Sequence, residues 1–299
     1  MDDTRPRVSI GLPVYNGERY LLFALDSLLS QTFTDFELII SDNASSDRTQ
    51  EMCRSYAAMD RRIRYYRNEK NLGAIWNFNR TVALASGPYF MWASHDDIWE
   101  PTFLARCMAV LEARPDTVLV HTKTRIIDEN GDRVADYDAT FKTDSPHASV
   151  RFHDLLRAPH KWFQTFGVIR TSVLTQTPLY GAYAASDIVL MSHLSLMGPF
   201  YEVPETLFHN RQHAQQSSKL DRYTRMAWFD SSKSTHIALP HCQVFLGLWA
   251  SIWQVPLSSS ERFRCCLTML IYPLWNRNWA RMGKDVFRTL LYPFRRFAL

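Results

Sequence analysis

The first 115 residues alternate strand-like and helix-like segments, and this alternation constrains the fold more than any other feature of the sequence. Four β-rich runs, RVSIGLPVY, FELIISD, RIRYYRN and PYFMWAS, are separated by segments with helical periodicity. Strands that are joined through helices run parallel, and helices then cover both faces of the sheet. The sequence therefore predicts an α/β fold with a mainly parallel sheet.

The pattern changes after residue 115. A hairpin-like segment turns at Asn130-Gly131, and residues 148–157 are predicted to be helical. The run KWFQTFGVIR is predicted to be extended, and SDIVLMSHLSLMG to be helical again. From about residue 220 the chain is Trp-rich with helical periodicity. We predict one domain over residues 1–219 and a helical, basic and aromatic-rich region over 220–299.

The charge of the chain is concentrated near its end. Hydrophobic residues make up 46% and charged residues 21% of the chain, as in a globular protein, and the net charge is +4. Residues 261–299 hold eight basic and two acidic residues among many aromatics. Such a tail favours the anionic inner surface of a membrane over nucleic acid as its partner. The alternatives are packing against the domain and a homodimer interface.

Two further features bear on location. The five cysteines form no C-x-x-C pair, and the first residues, MDDTRPR, are not an apolar leader. Residues 234–260 carry no charged side chain, but Pro240 and Pro256 interrupt them, which disfavours a membrane-spanning helix. We predict a reduced, cytoplasmic chain that is peripheral on the membrane if its tail binds lipid.

Polar residues follow three of the predicted strands. Pro13–Asn16 ends the first strand, Ser41–Asn43 the second and Ser94–Asp97 the fourth. Because the carboxyl ends of parallel strands meet at one edge of a sheet, these side chains are expected to line one crevice. The alternative is that each residue caps a helix or fills a turn, with Asn16 as the N-cap of the first helix.

The glycine-rich signatures of phosphate sites are missing. The chain has neither G-x-G-x-x-G nor G-x-x-x-x-G-K-[ST], which argues against a dinucleotide dehydrogenase and a P-loop ATPase. A crevice with carboxylates can bind phosphates through a divalent cation instead. This predicts that Asp96 binds the cation and that the cation binds a diphosphate.

These motifs, taken in order, resemble those of the inverting family-two glycosyltransferases with the Rossmann-like GT-A fold. The Pro-x-Tyr-Asn opening is present in PVYN, SDNASSDRT is similar to Asp-Asp-Gly-Ser-x-Asp-x-Thr, and NLG and ASGPYFMWASHDD follow. The resemblance covers residues 7–215. It implies a nucleotide-sugar half over 7–115 and an acceptor half over 116–219.

The resemblance also assigns residues to the donor and to the metal. It implies that Asp96 and His213 bind Mn²⁺ or Mg²⁺, that Asp42 accepts a hydrogen bond from the base and that Arg211 contacts the diphosphate. A zinc pair of His209 and His213 is a competing interpretation. The implied donor-binding residues are Pro13, Tyr15, Asn16, Asp42, Asn71, Gly73, Ser94, His95, Asp97 and Arg211.

Two departures from the family pattern affect this site. Ser94-His95-Asp96 replaces the common Asp-x-Asp, so a neutral hydroxyl stands where the first acid is expected. If strand alternation continues here, Ser94 and Asp96 lie on one side and His95 and Asp97 on the other. In the second motif Asn43 and Ala44 replace the usual acid and glycine.

The second half of the reaction needs a base for the acceptor hydroxyl. The resemblance implies Asp187, in AASDIVLMSHL, as that base; the alternative makes Ser186 an N-cap and Asp187 a first-turn acid. The aromatic residues Trp162, Phe163 and Phe166 are expected either to stack on an acceptor sugar or to lie in the core.

The sequence thus predicts a metal-assisted inverting glycosyltransferase. It moves a sugar from a nucleotide diphosphate, with UDP favoured, to a hydroxyl of a saccharide or lipid-linked glycan during surface polysaccharide synthesis. A non-catalytic glycan-binding or scaffolding relative is the alternative, and Ser94 is the residue that favours it. A nucleotidyltransferase is disfavoured because its Gly-rich loop with a basic residue is absent.

Overall fold

The described strands form a single nine-stranded sheet. A computed structural model describes residues 5–157, 159–216 and 239–295, together with Lys219 and Phe229. The strand order is β3-β2-β1-β4-β8-β6-β9-β5, and β7 pairs with β6. The strands are β1 (Val8–Val14), β2 (Phe36–Asp42), β3 (Ile63–Arg67), β4 (Tyr89–Trp92), β5 (Ile98–Trp99), β6 (Leu119–Ile127), β7 (Arg133–Tyr137), β8 (Val168–Arg170) and β9 (Phe200–Arg211).

Helices flank this sheet in the predicted order. The α-helices are α1 (Leu21–Leu29), α2 (Thr49–Met59), α3 (Ala74–Ala83), α4 (Phe103–Ala113), α5 (Ala148–Arg157), α6 (Thr171–Leu174), α7 (Ser186–Met197), α8 (Pro240–Gln254), α9 (Ser259–Ile271) and α10 (Asn278–Arg295). The predicted α/β fold is confirmed. One cap is wrong: α1 begins at Leu21, and Asn16 lies four residues before its N-cap, Tyr20, with a φ of 50°.

The first half of the sheet is parallel and fully covered. Strands β3, β2, β1 and β4 run parallel, whereas β8 pairs antiparallel with both β4 and β6. Every residue of β1 and β2 is buried, because helices cover both faces. The chain moves outward from β1 to β3 and then returns to place β4 on the other side of β1.

One sequence prediction fails in the second half, and one strand was not predicted. The run predicted to be extended at 161–170 forms a 3₁₀-helix over Phe163–Phe166 before β8. Strand β9 was not predicted, because Pro204 interrupts its pattern. The structure accommodates this proline at an irregularity, since Thr122 pairs with Val203 but Lys123 pairs with Thr206.

The C-terminal helices pack on the domain through one face. Phe152 of α5 and Val189 of α7 share a core with Leu248 and Met269 of α8 and α9. Gly247 lies so close to Val189 that an added Cβ would be 3.0 Å from its methyl groups. Helix α8 therefore supports the helix that carries Asp187. None of the described helices combines the length and apolar content needed to cross a bilayer.

Candidate active site

The crevice lies where the chain reverses its direction across the sheet. Strands β1 and β4 are parallel neighbours, and Ala93 N donates to Gly11 O at 2.8 Å just beyond the end of β4. In open α/β sheets ligands bind beyond the carboxyl ends of the strands at such a switch point. The segments that follow β1, β2 and β4 therefore meet at one edge, as the sequence predicts.

The loops after β1 and β2 are fastened to each other. Asn16 donates its backbone N–H to Ser45 Oγ at 2.9 Å and accepts with Oδ1 from Ser46 N at 2.8 Å. Gly17 N donates to Thr49 Oγ1 at 2.8 Å. The side chain of Asn16 thus serves to position the loop. Tyr15 lies beside these bonds with 41% of its surface exposed, so its ring is accessible to a ligand.

Asp42 and Pro13 belong to the framework of the crevice. Pro13 pairs with Ser41 within the sheet. The fully buried carboxylate of Asp42 accepts from Ser45 N at 2.8 Å and Tyr65 OH at 2.7 Å, and Arg67 Nε lies 3.3 Å away. This arrangement differs from the predicted direct contact between Asp42 and a base, since its oxygens are already occupied.

An amide network holds the loop that contains Asn71 and Gly73. Asn43 donates to Asn71 Oδ1 at 2.8 Å and accepts from Asn68 Nδ2 at 2.8 Å and Leu72 N at 3.0 Å. Gly73 has a φ of 89°, which favours glycine. Asn43, which replaces an acid of the family motif, thus positions this loop. Sequence reasoning missed this role because the partners are distant in the chain.

Asp96 lies in a turn rather than in a strand. Strand β4 ends at Trp92, so the predicted alternation of side chains over residues 94–97 does not apply. Ser94 Oγ donates a short hydrogen bond to Asp96 Oδ1, and His213 Nε2 lies 2.9 Å from Asp96 Oδ2. Burial raises the pKa of Asp96, but His213, His95 and Ser94 outweigh it and lower the pKa to about 2.

Bonds to Arg211 hold the turn that contains Asp96 and Asp97 in place. The buried Asp97 accepts from Arg211 N at 2.9 Å and Asn210 Nδ2 at 3.0 Å, and burial beside Asp96 raises its pKa. The guanidinium of Arg211 donates to Asp96 O at 3.0 Å and lies 4.9 Å from the centre of the Tyr20 ring.

Arg211 is therefore a positioning residue. Its Nη1 also donates to the backbone carbonyls of Asp128 and Glu129 at 3.2 Å, and only 2% of the residue is exposed. These bonds replace the predicted contact between Arg211 and a diphosphate. Asp97 was predicted either to support the metal ligand or to contact the sugar, and its bonds to the protein fit the supporting role.

Two histidines occupy different places near the turn. The ring of His95 lies over Gly17, where an added Cβ would be 2.8 Å from its Cδ2. His209 pairs with Glu100 at 3.4 Å on the sheet between β5 and β9. In the part of the chain that the structure describes, no three His, Cys, Asp or Glu side chains group as metal ligands. The interpretation of His209 and His213 as a zinc pair therefore has no support.

The pair of Asp96 and His213 nevertheless fits a cation that is shared with a substrate. Two ligands of an octahedral ion at about 2.1 Å are about 3 Å apart, close to the 2.9 Å between Oδ2 and Nε2. The carboxylate is ionised at neutral pH because its pKa is low. With only these two protein ligands, diphosphate oxygens and water would complete the shell.

Asp187 lies in the first turn of α7, as predicted. Ala185 precedes the helix with a φ of 65°, and Ser186 is buried with no hydrogen-bond partner for its Oγ among the described residues. Burial raises the pKa of Asp187, which a bond from Ile188 N at 3.0 Å only partly offsets. The N-cap alternative for Ser186 is wrong.

An aromatic contact links Tyr180 to the strand that precedes the Asp96 turn. Burial raises the pKa of Tyr180, and the charge of Asp187 adds to this effect. The Tyr180 ring lies 4.9 Å from the ring of Trp92, which ends β4 two residues before Ser94. The rings of Phe163 and Phe166, in contrast, pack on Phe208 in the core.

Solved structures of other proteins share this fold. TarS of S. aureus in complex with UDP-GlcNAc aligns with a TM-score of 0.67 at 15% identity, over 96% of this chain and 81% of that chain. The mannosyltransferase PcManGT from Pyrobaculum calidifontis, in complex with GDP-Man and Mn²⁺, aligns with a TM-score of 0.55 at 15% identity, over 96% and 87%. The fold is therefore that of the GT-A glycosyltransferases.

Sequence comparisons give the family. The model of glycosyl transferase family 2 matches residues 9–174, and the chain belongs to this family. An uncharacterized glycosyltransferase of Rickettsia felis is 28% identical over 72% of this chain and 35% of its own length. Chondroitin synthase of Escherichia coli is 27% identical over 72% and 31%. The chain spans about a third of each relative's length. The predicted family is confirmed.

Proposed function

We propose that this glycosyltransferase moves a sugar from a nucleotide diphosphate, UDP by preference, to a hydroxyl of a saccharide or lipid-linked glycan, with inversion. One observation carries the proposal: the turn after β4 holds an ionised Asp96 beside His213, at the edge of the sheet where the loops after β1 and β2 also lie. We expect the reaction to serve the synthesis of a surface polysaccharide.

The donor is expected to bind over the loops after β1 and β2, which are hydrogen-bonded to each other. Tyr15 offers an exposed ring at the mouth of the crevice, and aromatic rings stack on nucleobases. The Asn71–Gly73 loop, held by Asn43, is the second wall. The complexes of TarS with UDP-GlcNAc and of the mannosyltransferase with GDP-Man agree with a nucleotide-sugar donor.

Asp96 and His213 are the proposed ligands of Mn²⁺ or Mg²⁺. A divalent cation there would supply Lewis-acid stabilisation for the charge that develops on the diphosphate. Ser94 donates to Asp96 and fixes the orientation of its carboxylate, which gives this departure from Asp-x-Asp a role without a second acid. We therefore propose a catalytic enzyme rather than a non-catalytic glycan-binding or scaffolding relative.

Asp187 is the proposed base. As the acceptor oxygen forms its bond to the anomeric carbon, the bond from that carbon to the diphosphate oxygen breaks and its electron pair leaves with the diphosphate. The hydroxyl proton moves to the carboxylate of Asp187. A carboxylate whose pKa is raised by burial takes this proton more readily than an ordinary one.

A thermal-shift screen with donor hydrolysis tests the proposal. UDP with Mn²⁺ should raise the Tm of the chain, and UDP-sugars should be hydrolysed slowly only when the metal is present. Asp96→Ala should abolish both effects, whereas Asp144→Ala, at an exposed position, should retain them. If Asp96→Ala binds UDP and Mn²⁺ like the unaltered chain, the proposed metal site is wrong.

A further inference from the structure

Helix α9 carries an apolar stripe that points away from the protein. Phe263, Leu267 and Leu270 follow one another at spacings of four and three residues, which aligns them along one side of α9, and Leu274 lies in the turn just after the helix. Between 45% and 72% of each of these residues is exposed. We call these four residues the α9 stripe.

The opposite side of the same helix is already buried. Cys265 and Met269 lie fully inside the core that α8 and α9 share with α5 and α7. A surface helix normally turns polar residues outward, so a second apolar side indicates a partner surface.

The neighbouring helices extend this surface. Trp253 of α8 and Trp279 and Phe287 of α10 are also more than half exposed. Of the sixteen large hydrophobic residues exposed in the described part of the chain, ten lie between residues 246 and 287. The exposed apolar surface is thus concentrated on the C-terminal helices.

Basic residues border the α9 stripe on both sides. At 100° per residue, Arg262 and Arg264 flank Phe263 to the left and right. The guanidinium of Arg262 lies 5.3 Å from the centre of the Trp253 ring, and Arg264 is 59% exposed although it lies 3.7 Å from Glu261. Exposed Arg277, Arg281 and Lys284 continue the basic border toward α10.

The two acids of this region accept hydrogen bonds from other parts of the protein. Glu261 accepts from Ser149 N at 2.6 Å, and the buried Asp285 accepts from His241 N at 2.8 Å. Their charges are therefore held on the inner side of the helices, and the outer side is positive.

We propose that the α9 stripe and its basic border dock on the surface of an anionic lipid bilayer. Apolar side chains enter the headgroup boundary, tryptophans lie at that level and each nearby Arg or Lys attracts acidic headgroups. A second copy of the chain fits less well, because its equally positive face would repel this one. This inference does not depend on the proposed transfer reaction.

Vesicle flotation of the full chain without donor tests the inference. The chain should float with phosphatidylcholine vesicles that contain phosphatidylglycerol, more weakly with pure phosphatidylcholine, and less as salt rises. Phe263→Ser with Leu270→Ser should lower the partition coefficient about tenfold or more. Met59→Ser with Val134→Ser removes two exposed apolar residues elsewhere and should leave binding unchanged.

Charge and fluorescence give independent measurements. Arg264→Ala should weaken binding about fivefold, and Arg54→Ala, at an exposed position on α2, should not. Brominated lipids should quench the tryptophan fluorescence of the unaltered chain, and Trp253→Phe should reduce this quenching, even if the serine variant misfolds.

Four results would overturn the inference: no binding to anionic vesicles, equal binding to neutral vesicles, equal losses in the control pair, or a dimer that the serine pair dissociates.

Discussion

The surroundings of Asp96 lower the pKa of its carboxyl group, whereas the surroundings of Asp187 at the start of α7 raise the pKa of that group. Asp96 is bonded by Ser94 and His213, and these partners lower its pKa to about 2 despite burial. Asp187 is partly buried, but Ile188 is the only other residue in the described part of the chain that bonds it, and its pKa is raised. Polar partners therefore distinguish the two sites, since both carboxylates are only partly exposed.

This difference separates two chemical roles. A carboxylate that stays ionised under all ordinary conditions suits a cation, whereas one with a raised pKa suits proton transfer. The donor side is also the more fixed side, because the loops after β1 and β2 bond to each other and the turn after β4 bonds to the end of β9. The start of α7 leaves Ser186 Oγ without a partner among the described residues.

The largest expected effect is on turnover after Asp187→Asn. Loss of the base should lower kcat by about 10²- to 10⁴-fold, while the Kd for UDP with Mn²⁺ stays within about twofold. Product formation and isothermal titration measure the two quantities. Asp144→Asn removes an exposed charge and should change neither. Normal transfer by Asp187→Asn would mean that another group takes the proton.

Asp96→Asn should weaken the binding of UDP with Mn²⁺, which Asp187→Asn leaves unchanged. The neutral amide weakens the attraction for the cation, so the Kd for UDP with Mn²⁺ should rise about tenfold to a hundredfold while binding without metal changes little. Titrations with and without Mn²⁺ separate these terms. A loss of affinity that is equal in both titrations would contradict the assignment of Asp96 to the metal.

The pH dependence of kcat/KM should report Asp187 and not Asp96. The base acts in its ionised form, so activity should fall about tenfold per pH unit below the pKa of Asp187, which lies above the ordinary value of 3.8. Asp96, whose pKa is about 2, adds no acid limb to the pH profile in the usual range. Asp97 also has a raised pKa, and Asp97→Asn should keep the limb. A limb that persists in the residual activity of Asp187→Asn would reject the assignment.

Arg211→Lys should affect stability more than chemistry. The lysine cannot donate to the carbonyls of Asp96, Asp128 and Glu129 together, so the free energy of unfolding should fall by about 3 kcal/mol. Urea denaturation measures this loss. Arg54→Lys on the exposed side of α2 is the control, and equal stability of both variants would show that the carbonyl contacts contribute little.

The smallest effect is expected at Ala44. This residue has a φ of 62° in the loop after β2, where the family pattern has glycine. Ala44→Gly relieves about 1 kcal/mol of steric strain, less the entropy that glycine adds to the unfolded chain. We expect a free energy of unfolding that is unchanged or raised by up to about 1 kcal/mol, and destabilisation beyond 1 kcal/mol would contradict the strain argument.

The sequence alone determined the first four strands, their parallel arrangement and the three polar strand ends. These features depend on local periodicity and on the rule that parallel strands end at one edge, and the convergence of PVYN, SDN and SHDD on one crevice follows from them. It also placed Asp187 in the first turn of a helix.

Only the tertiary structure decided what each polar residue does. Asp42 and Arg211 were predicted to touch the donor, yet partners from distant segments bury them in framework bonds. Asp97, predicted either to support the metal ligand or to contact the sugar, is likewise bonded to the protein. The pairing of Asp96 with His213, 117 residues apart, likewise depends on β9, which Pro204 conceals in the sequence. A residue type fixes which bonds a side chain can make, but long-range packing decides which of those bonds remain for a ligand.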